Sequence, residues 1–267
     1  MDVPTQILAE LINTEAITST IFRHTYYAPE IASSALPGQF IMVHVGAGYD
    51  PLLRRPFSIH RVKEEYIQIL FKVVGKGTLI LSEKKAGEKA DLIGPLGKGF
   101  KLVSGRKILV GGGLGIAPLL FLASIMQKQK ETQGEVRVML GACDRVEIEP
   151  FCQEFANTGA QVIIATDNGS LGHCGFVTEL LLQDIEKDYP KKTQVYSCGP
   201  YPMMAKVASI CKEAHLNCQV SLETMMACGL AACLGCAVPS AEKGNKYLHV
   251  CKDGPVFEAG KVIWNKA

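Results

Sequence analysis

The sequence predicts an α+β chain in three parts: an N-terminal antiparallel β-barrel, a central doubly wound α/β domain and a small C-terminal module held by cysteines. Three observations carry this. Short β-rich segments with little helix fill the first part, which reads as a small barrel. From Lys107 apolar strands alternate with helices, the pattern of a parallel sheet covered on both faces. Near the C-terminus Cys228, Cys233 and Cys236 stand as C-x4-C-x2-C, and Cys251 follows after fourteen further residues. The expected domain limits are 1–102, 103–220 and 221–267.

At 267 residues the chain is longer than one typical domain, and its 48% apolar residues suffice for more than one core. A formal net charge of +2 gives no case for a nucleic-acid surface or a disordered chain. Ten cysteines, with no charged n-region, apolar h-region and cleavage site, suggest ligands and buried thiols in a reducing compartment, so a cytoplasmic protein is expected. The uncharged run from Ile108 to Met126 approaches the length of a membrane span. It contains Gly111-Gly112-Gly113, Gly115 and Pro118, so it reads better as strand, turn and helix, and no membrane partner is expected.

Within the first part, Thr20–Arg23, Gln39–Val45, Phe57–Val62, Tyr66–Val73 and Lys89–Leu92 read as strands, separated by Pro37-Gly38, Gly46-Ala47-Gly48, Lys63-Glu64-Glu65 and Gly87-Glu88. Three polar stretches exceed what a barrel core needs: Leu53-Arg54-Arg55-Pro56-Phe57-Ser58, Gly75-Lys76-Gly77-Thr78 and Gly94-Pro95-Leu96-Gly97-Lys98-Gly99-Phe100. An arginine ahead of a strand can clamp a phosphate by charge-assisted hydrogen bonds, and a nearby serine hydroxyl can meet a polar ring atom. Gly77-Thr78 opens a helical run, Leu79-Ile80-Leu81-Ser82, whose first amides suit a pyrophosphate. Taken singly, each stretch favours a surface charge or a turn. Together they resemble the ferredoxin reductase-like flavoproteins, in which an FAD-binding barrel precedes an NAD-binding α/β domain. The resemblance implies that Arg55, Pro56, Phe57 and Ser58 hold the flavin and its diphosphate, that Gly77 and Thr78 meet the diphosphate, and that Lys72, Val73 and Val74 lie along the flavin.

In the second part Lys107–Val110 reads as an apolar strand, 111–115 as a glycine turn and Ala117–Gln129 as a helix. Glu135–Gly141, Gln161–Ala165 and Gln194–Cys198 follow as strands with helices between. Ligands of such sheets bind beyond the carboxyl ends of the strands, where Gly111, Gly112, Gly113, Gly115 and the run Cys198-Gly199-Pro200 all fall. A glycine turn that opens a helix brings a dinucleotide pyrophosphate against bare amides, although this turn lacks the full G-x-G-x-x-G and alone reads as readily as structural. Cys198 alone reads as a buried strand thiol. Paired, the two runs resemble the second signature of the same flavoproteins, where Cys-Gly-Pro approaches the nicotinamide. Asp144 suits an adenosine ribose hydroxyl and favours NAD, whereas Arg145 beside it argues for NADP.

The spacing of Cys228, Cys233, Cys236 and Cys251 is the plant-type spacing for a [2Fe-2S] cluster. Gly229, Ala231, Ala232 and Gly235 leave room for inorganic sulfide and bring backbone N–H groups close enough to tune the cluster. Zinc also accepts four thiolates, but its modules more often pair two short knuckles, and here Cys251 stands apart. Cys143, Cys152, Cys174, Cys211 and Cys218 show no ligand spacing and read as ordinary small residues. His60 reads as structural, although its strand carries the flavin element.

The order of the three parts closely resembles the electron transfer subunits of class B dihydroorotate dehydrogenase over essentially the whole chain. So do Ser221-Leu222-Glu223 ahead of Met226-Ala227-Cys228-Gly229, Asp253-Gly254-Pro255-Val256-Phe257 after the fourth cysteine, and Asn168-Gly169-Ser170-Leu171-Gly172 with Gly175-Phe176-Val177-Thr178. The resemblance implies FAD, a [2Fe-2S] cluster and NAD(H) as cofactors, and no dihydroorotate-oxidising residue on this chain. It implies as partner an FMN-containing dihydroorotate dehydrogenase catalytic subunit, in a heterotetramer of two of each. Leu230 and Leu234, beside the cluster, are the expected docking surface. Ala231 departs from the glycine usual in this family, and Thr224-Met225 replaces more polar residues. Nicotinamide moves two electrons as hydride and a cluster moves one, so a flavin is the natural link. Two other readings compete: a reductase of the same architecture serving ferredoxin, sulfide or an oxygenase, and a zinc-stabilised or redox-sensing binding module.

Overall fold

Six antiparallel strands, β1 (Thr5–Ala16), β2 (Ile21–Tyr27), β3 (Phe40–Val43), β4 (Arg55–Lys63), β5 (Tyr66–Lys72) and β6 (Lys89–Leu96), close into a barrel in the order β1-β2-β5-β4-β3-β6. Closure removes the unpaired edges that an open sheet would present. Leu11, Ile41, Val43, Ile59, Ile67, Ile69, Phe71 and Leu92 fill the interior. Two short helices, α1 (Pro29–Ala32) and α2 (Lys76–Ser82), sit in the connections. These coordinates are a computed structural model that describes residues 4–46, 48, 50–128, 134–187, 192–244 and 246–264.

Strand β1 has no counterpart in the sequence reading. Its Leu-Ala-Glu-Leu core is made of poor strand formers, and it is extended because β2 and β6 pair with it on both sides. The stretch Gly94-Pro95-Leu96, read as an insertion beyond the core, belongs to β6, and Leu96 and Phe100 are buried.

The second sheet contains β7 (Arg106–Gly112), β8 (Val136–Ala142), β9 (Gln161–Thr166), β10 (His173–Cys174), β11 (Thr193–Cys198) and β12 (Asn217–Ser221). Its helices are α3 (Ile116–Lys128), α4 (Arg145–Ala156), α5 (Val177–Lys187) and α6 (Tyr201–Glu213). The run from Ile108 to Met126 therefore forms strand, turn and helix. No helix among the described residues is long and apolar enough to cross a membrane. Gln129, expected to end α3, lies outside the described residues.

The C-terminal part contributes β13 (Ala237–Pro239), β14 (Tyr247–His249), α7 (Val250–Asp253) and β15 (Val256–Glu258). Strand order in the second sheet is β10-β9-β8-β7-β11-β12-β15, parallel throughout except for β15. Order reverses at β7, with β8 and β9 on one side and β11 and β12 on the other. The crevice beyond the carboxyl ends of β7 and β11 is thus the topological switch point where such sheets take ligands.

The last part is built into the other two rather than hung from them. β15 pairs with β12, Gln219 opposite Glu258 and Ser221 opposite Val256. Just before it, the Lys98 N–H donates to Gly254 O at 2.6 Å and the Leu222 N–H to Pro255 O at 2.9 Å. At Gly97, with φ +74°, an added Cβ would stand 2.5 Å from Pro255 Cδ, so only glycine lets barrel and C-terminal segment meet there.

Helix α4 fastens the barrel to the second sheet. Glu154 receives the guanidinium of Arg23 and, at 2.7 Å, that of Arg61, while Glu147, two turns earlier on the same face, receives Lys72 at 2.6 Å. His60 Nδ1 donates to the carbonyl of Ala117 in α3 at 3.1 Å. Both buried histidines are held neutral: burial first, then nearby cations, lowers His60 to about 3 and His24 to about 4.

Candidate cofactor sites

A cavity of about 350 Å³ opens where the three parts meet. The barrel supplies Phe40, Leu70 and Phe71, the turn and start of α3 supply Leu114 and Ala117, and the C-terminal part supplies Ser221, Leu222, Glu223, Thr224, Met226 and Pro255. Of the residues expected to hold FAD, Arg55, Pro56, Phe57, Ser58, Lys72, Val74 and Thr78 line it. Val73 and Gly77 stand just behind. Val73 N–H donates to Thr20 O at 2.8 Å, and an added Cβ on Gly77 would come within 3.2 Å of Arg55 Nε. Arg55 Nη1 donates to Leu53 O at 2.7 Å, which fixes the guanidinium at the mouth.

Helix α2 begins at Lys76, so Gly77 and Thr78 lie inside its first turn rather than ahead of it. Thr78 Oγ1 accepts the N–H groups of Val74 and Gly75, at 2.9 and 3.2 Å, and so ties the helix start to the end of β5. An apolar slot with Ser58, Thr224 and Glu223 on its rim and a cation at its mouth fits a flavin. Glu223 is exposed at this rim, and desolvation by the surrounding walls raises its carboxyl pKa. Leu222 to Met226 entered the sequence reading only through a family resemblance, because no spacing marks them as a wall.

A second cavity, of about 560 Å³, lies beyond the carboxyl ends of β7 and β8 and between α5 and α6. Of the residues expected to hold NAD, Gly112, Gly113 and Pro200 line it, whereas Gly111, Gly115, Asp144, Cys198 and Gly199 do not. The unlined glycines serve close packing. An added Cβ on Gly115 would stand 2.3 Å from Cys198 O, and one on Gly199 would stand 3.0 Å from Gly112 N. The glycine turn and the Cys-Gly-Pro run are thus fitted backbone to backbone, leaving Gly113, at φ +52° with nothing within 4 Å of a built Cβ, open. That bare backbone suits a dinucleotide phosphate.

Cys198 is buried, and desolvation pushes its thiol pKa well up. Asp144 Oδ1 accepts the Glu147 N–H at 3.1 Å and caps α4, while the aspartate lining the cavity is Asp167, which follows β9. Asp167 and Met203 were not read from sequence as dinucleotide-site residues, and Phe176 and Thr178 entered only within a run that resembles the family, because the four come from three separate loops and helices. Phe176, 65% exposed, is the one with a readable signal: a large aromatic in a glycine-rich loop.

The four late thiols stand as two pairs. Cys236 Sγ and Cys251 Sγ are 3.2 Å apart and buried, and the more exposed Cys228 and Cys233 are joined by the Cys233 N–H, 3.4 Å from Cys228 Sγ. Further amides point at sulfur: Leu230 N–H at Cys228, Ala231 N–H at Cys251, Gly235 N–H at Cys233 and Cys251 N–H at Cys236, at 3.3 to 3.5 Å. For Cys228, burial raises the pKa but the N–H groups of Leu230 and Cys233 outweigh it and bring the thiol down to about 7.

Two thiolates for each of two irons is the demand of a [2Fe-2S] cluster, and two pairs wrapped in amides fit it. Among the described residues no group of three or more His, Cys, Asp or Glu converges to hold a single metal ion. Gly229, at φ +69°, brings the loop against the barrel, where an added Cβ would meet Met42 Cγ at 2.6 Å.

Residues 223–263 match the family model described as the iron-sulfur cluster binding domain of dihydroorotate dehydrogenase B, and residues 109–209 match the oxidoreductase NAD-binding domain. The electron transfer subunit of dihydroorotate dehydrogenase B (NAD(+)) from Desulforamulus reducens is 45% identical over 90% of this chain and 93% of its own. The subunit of the same name from Caldanaerobacter subterraneus is 38% identical over 96% of this chain and 98% of its own. Among solved structures, that of an NADH-dependent reduced ferredoxin-NADP oxidoreductase superposes with a TM-score of 0.85, at 29% identity over 97% of this chain and 90% of that one. A ferredoxin NADP+ reductase from Neisseria gonorrhoeae with bound FAD and NADP shares the fold, with a TM-score of 0.65 at 17% identity over 78% of this chain and 91% of that one.

Proposed function

Since the chain belongs to the electron transfer subunits of dihydroorotate dehydrogenase B, we propose that it links a catalytic partner's oxidation of dihydroorotate to the reduction of NAD+ through a [2Fe-2S] cluster and FAD. The observation that carries this is the shared wall of the flavin cavity. Met226, two residues before Cys228, and Leu114, within the glycine turn, both line it, so cluster loop and dinucleotide turn reach the same chamber. When bound, the flavin supplies the exchange between two-electron hydride chemistry and the one-electron chemistry of the cluster.

The chain's own residues bind, orient and insulate. Arg55 and Thr78 anchor the anionic end of the flavin, while Ser58 and Thr224 present hydroxyls to the slot. Phe57, Leu222 and Pro255 exclude water. Gly112, Gly113 and Pro200 receive the dinucleotide; Gly111, Gly115, Cys198 and Gly199 hold that receiving surface in shape; and Asp167, rather than Asp144, stands ready for a ribose hydroxyl. Cys228, Cys233, Cys236 and Cys251 ligate the cluster, and amides of residues 230–235 and 251 lower the charge on their sulfurs.

This reading keeps the division 1–102, 103–220 and 221–267, a cytoplasmic setting, and an FMN-containing catalytic partner in a heterotetramer of two of each chain. Leu230 and Leu234, 47% and 56% exposed beside the cluster, form the docking face. Anaerobic purification with iron, sulfide and flavin analysis, followed by a dihydroorotate:NAD+ assay with and without the co-expressed partner, tests it. A brown-yellow protein active only with its partner is expected. A colourless zinc protein, or a flavoprotein inert with the partner, would sink the reading. Leu234→Asp should uncouple the two chains while leaving NADH able to reduce the bound flavin.

A further inference from the structure

Between the flavin and dinucleotide cavities lies a narrow neck of about 30 Å³ that shares wall residues with each. Lys72 and Leu114 belong to both the neck and the flavin cavity, and Gly113 and Glu147 to both the neck and the dinucleotide cavity. That volume has room for about two water molecules. A nicotinamide ring is several times larger, so a ring that passes through the neck needs part of its wall to move aside.

Most of the neck wall is core. Ile116, Ile148 and Phe151 are at most 1% exposed and packed on α3 and β8. Lys72 and Glu147 differ. Their side chains, 39% and 25% exposed, are long and unbranched, and they meet across the neck at 2.6 Å, one from the barrel and one from α4. The other carboxylate on that face of α4, Glu154, makes a different contact. It is 20% exposed and takes two guanidinium groups, one of them from the 9%-exposed Arg23. Two guanidinium groups on one carboxylate make a fixed clasp, and a single ammonium at a half-open neck makes a contact that can part.

We propose that the Lys72–Glu147 ion pair is a latch across the passage between the two cavities, closed in the resting protein and opened when an NAD(H) nicotinamide enters. The pair also keeps Glu147 neutralised beside a cavity meant for an anionic dinucleotide. Lys72 and Glu147 are therefore positioning residues, and the inference rests on the reading above that FAD fills the first cavity and NAD(H) the second.

The test uses the intact flavoprotein with Glu147→Gln, Lys72→Met and the conservative Lys72→Arg. Two quantities are measured anaerobically: the dissociation constant of a redox-inert tetrahydro-NAD analogue, and the limiting rate at which saturating NADH bleaches the bound flavin at low and high salt. The latch predicts that both neutral variants raise the limiting rate about fivefold and remove its salt dependence. It further predicts opposite shifts in analogue binding, tighter in Glu147→Gln and weaker in Lys72→Met, where a lone carboxylate is left beside the phosphates. Lys72→Arg should restore wild-type behaviour.

A merely structural pair would instead slow both variants and shift analogue binding the same way, and that result overturns the proposal. So does a limiting rate in Glu147→Gln equal to wild type at every salt concentration, even with full flavin content. A wild-type protein whose flavin NADH fails to reduce overturns the reading of the cavities as well, which separates the two failures.

Discussion

The flavin cavity draws its walls from residues as far apart as Phe40 and Pro255, whereas the dinucleotide cavity is built within residues 112–206 of one sheet and its helices. The first is closed by a segment, Gly254 to Val256, that is bonded to both the barrel and the second sheet. The second is walled by loops beyond strand ends, with an exposed Phe176 at its side. A group held by three interlocked parts leaves only if the parts separate; a group held on one domain's crevice comes and goes. The contrast suits the proposed resident cofactor in the first cavity and the proposed exchanging one in the second.

The largest effect that would test this contrast comes from Cys251→Ser. It removes one proposed ligand of the buried pair, three residues before the segment that closes the flavin cavity, and should abolish cluster iron and sulfide and lower flavin content with them. Binding of a tetrahydro-NAD analogue should change little. Full flavin content in a cluster-free variant would show that the C-terminal wall is dispensable and break the comparison.

Gly115→Ala should give the reverse pattern. Its Cβ, 2.3 Å from Cys198 O, forces the glycine turn off the Cys-Gly-Pro run. The cost is about 2–3 kcal/mol, seen as weaker analogue binding by about tenfold or more, with flavin and cluster retained. Loss of flavin in this variant would mean that the two cavities do not stand independently.

Acid probes the barrel side. His60 and His24 have folded pKa values of about 3 and about 4, below the 6.5 of a free imidazole. Well above pH 6.5 titration of neither ring changes stability with pH. As pH falls below 6.5 the unfolded chain takes up protons that the folded chain refuses, so stability drops by up to about 1.4 kcal/mol per pH unit per ring until the folded pKa is neared. Thermal denaturation between pH 7 and pH 4.5, to be carried out over about that range, should show this slope, and His60→Gln should lessen it. An identical slope in that variant would remove His60 from the account.

The smallest effect is local to the cluster. Ala231 holds φ +62° while its N–H points at Cys251 Sγ at 3.3 Å. Ala231→Gly relieves the left-handed strain and should gain about 0.5–1 kcal/mol, read as slower cluster loss in chelator, with the amide-to-sulfur bond kept. Faster loss would mean that the methyl group shields the cluster.

How much of this was legible in the sequence varies with the distance over which each feature is encoded. The four cysteines were readable because three of them lie within nine residues and a cluster needs a fixed number of thiolates. Strands β7, β8 and β9 were readable because a parallel strand buried on both faces is a nearly unbroken apolar run, and β11 because β-prone Val195-Tyr196 stand ahead of Cys198-Gly199-Pro200. Strand β1 was not, since its pairing partners, not its composition, make it extended. Asp144 illustrates the limit: sequence placed it correctly after the second strand, but its short side chain turned back to cap α4, and Asp167 took the place on the cavity wall.

Residue order alone determined the three-part plan, the candidate thiolate ligands and the glycine turn, because each depends on neighbours a few positions away or on a repeating apolar pattern. Only the folded chain decided that the C-terminal part completes the flavin cavity, that the glycines of the turn pack on the Cys-Gly-Pro run, and that Lys72 and Glu147 face each other across the neck. Those pairings join positions 40 with 255, 115 with 198 and 72 with 147. No local rule links such distant residues; they meet because barrel closure, the reversal of strand order at β7 and the docking of α4 bring them together.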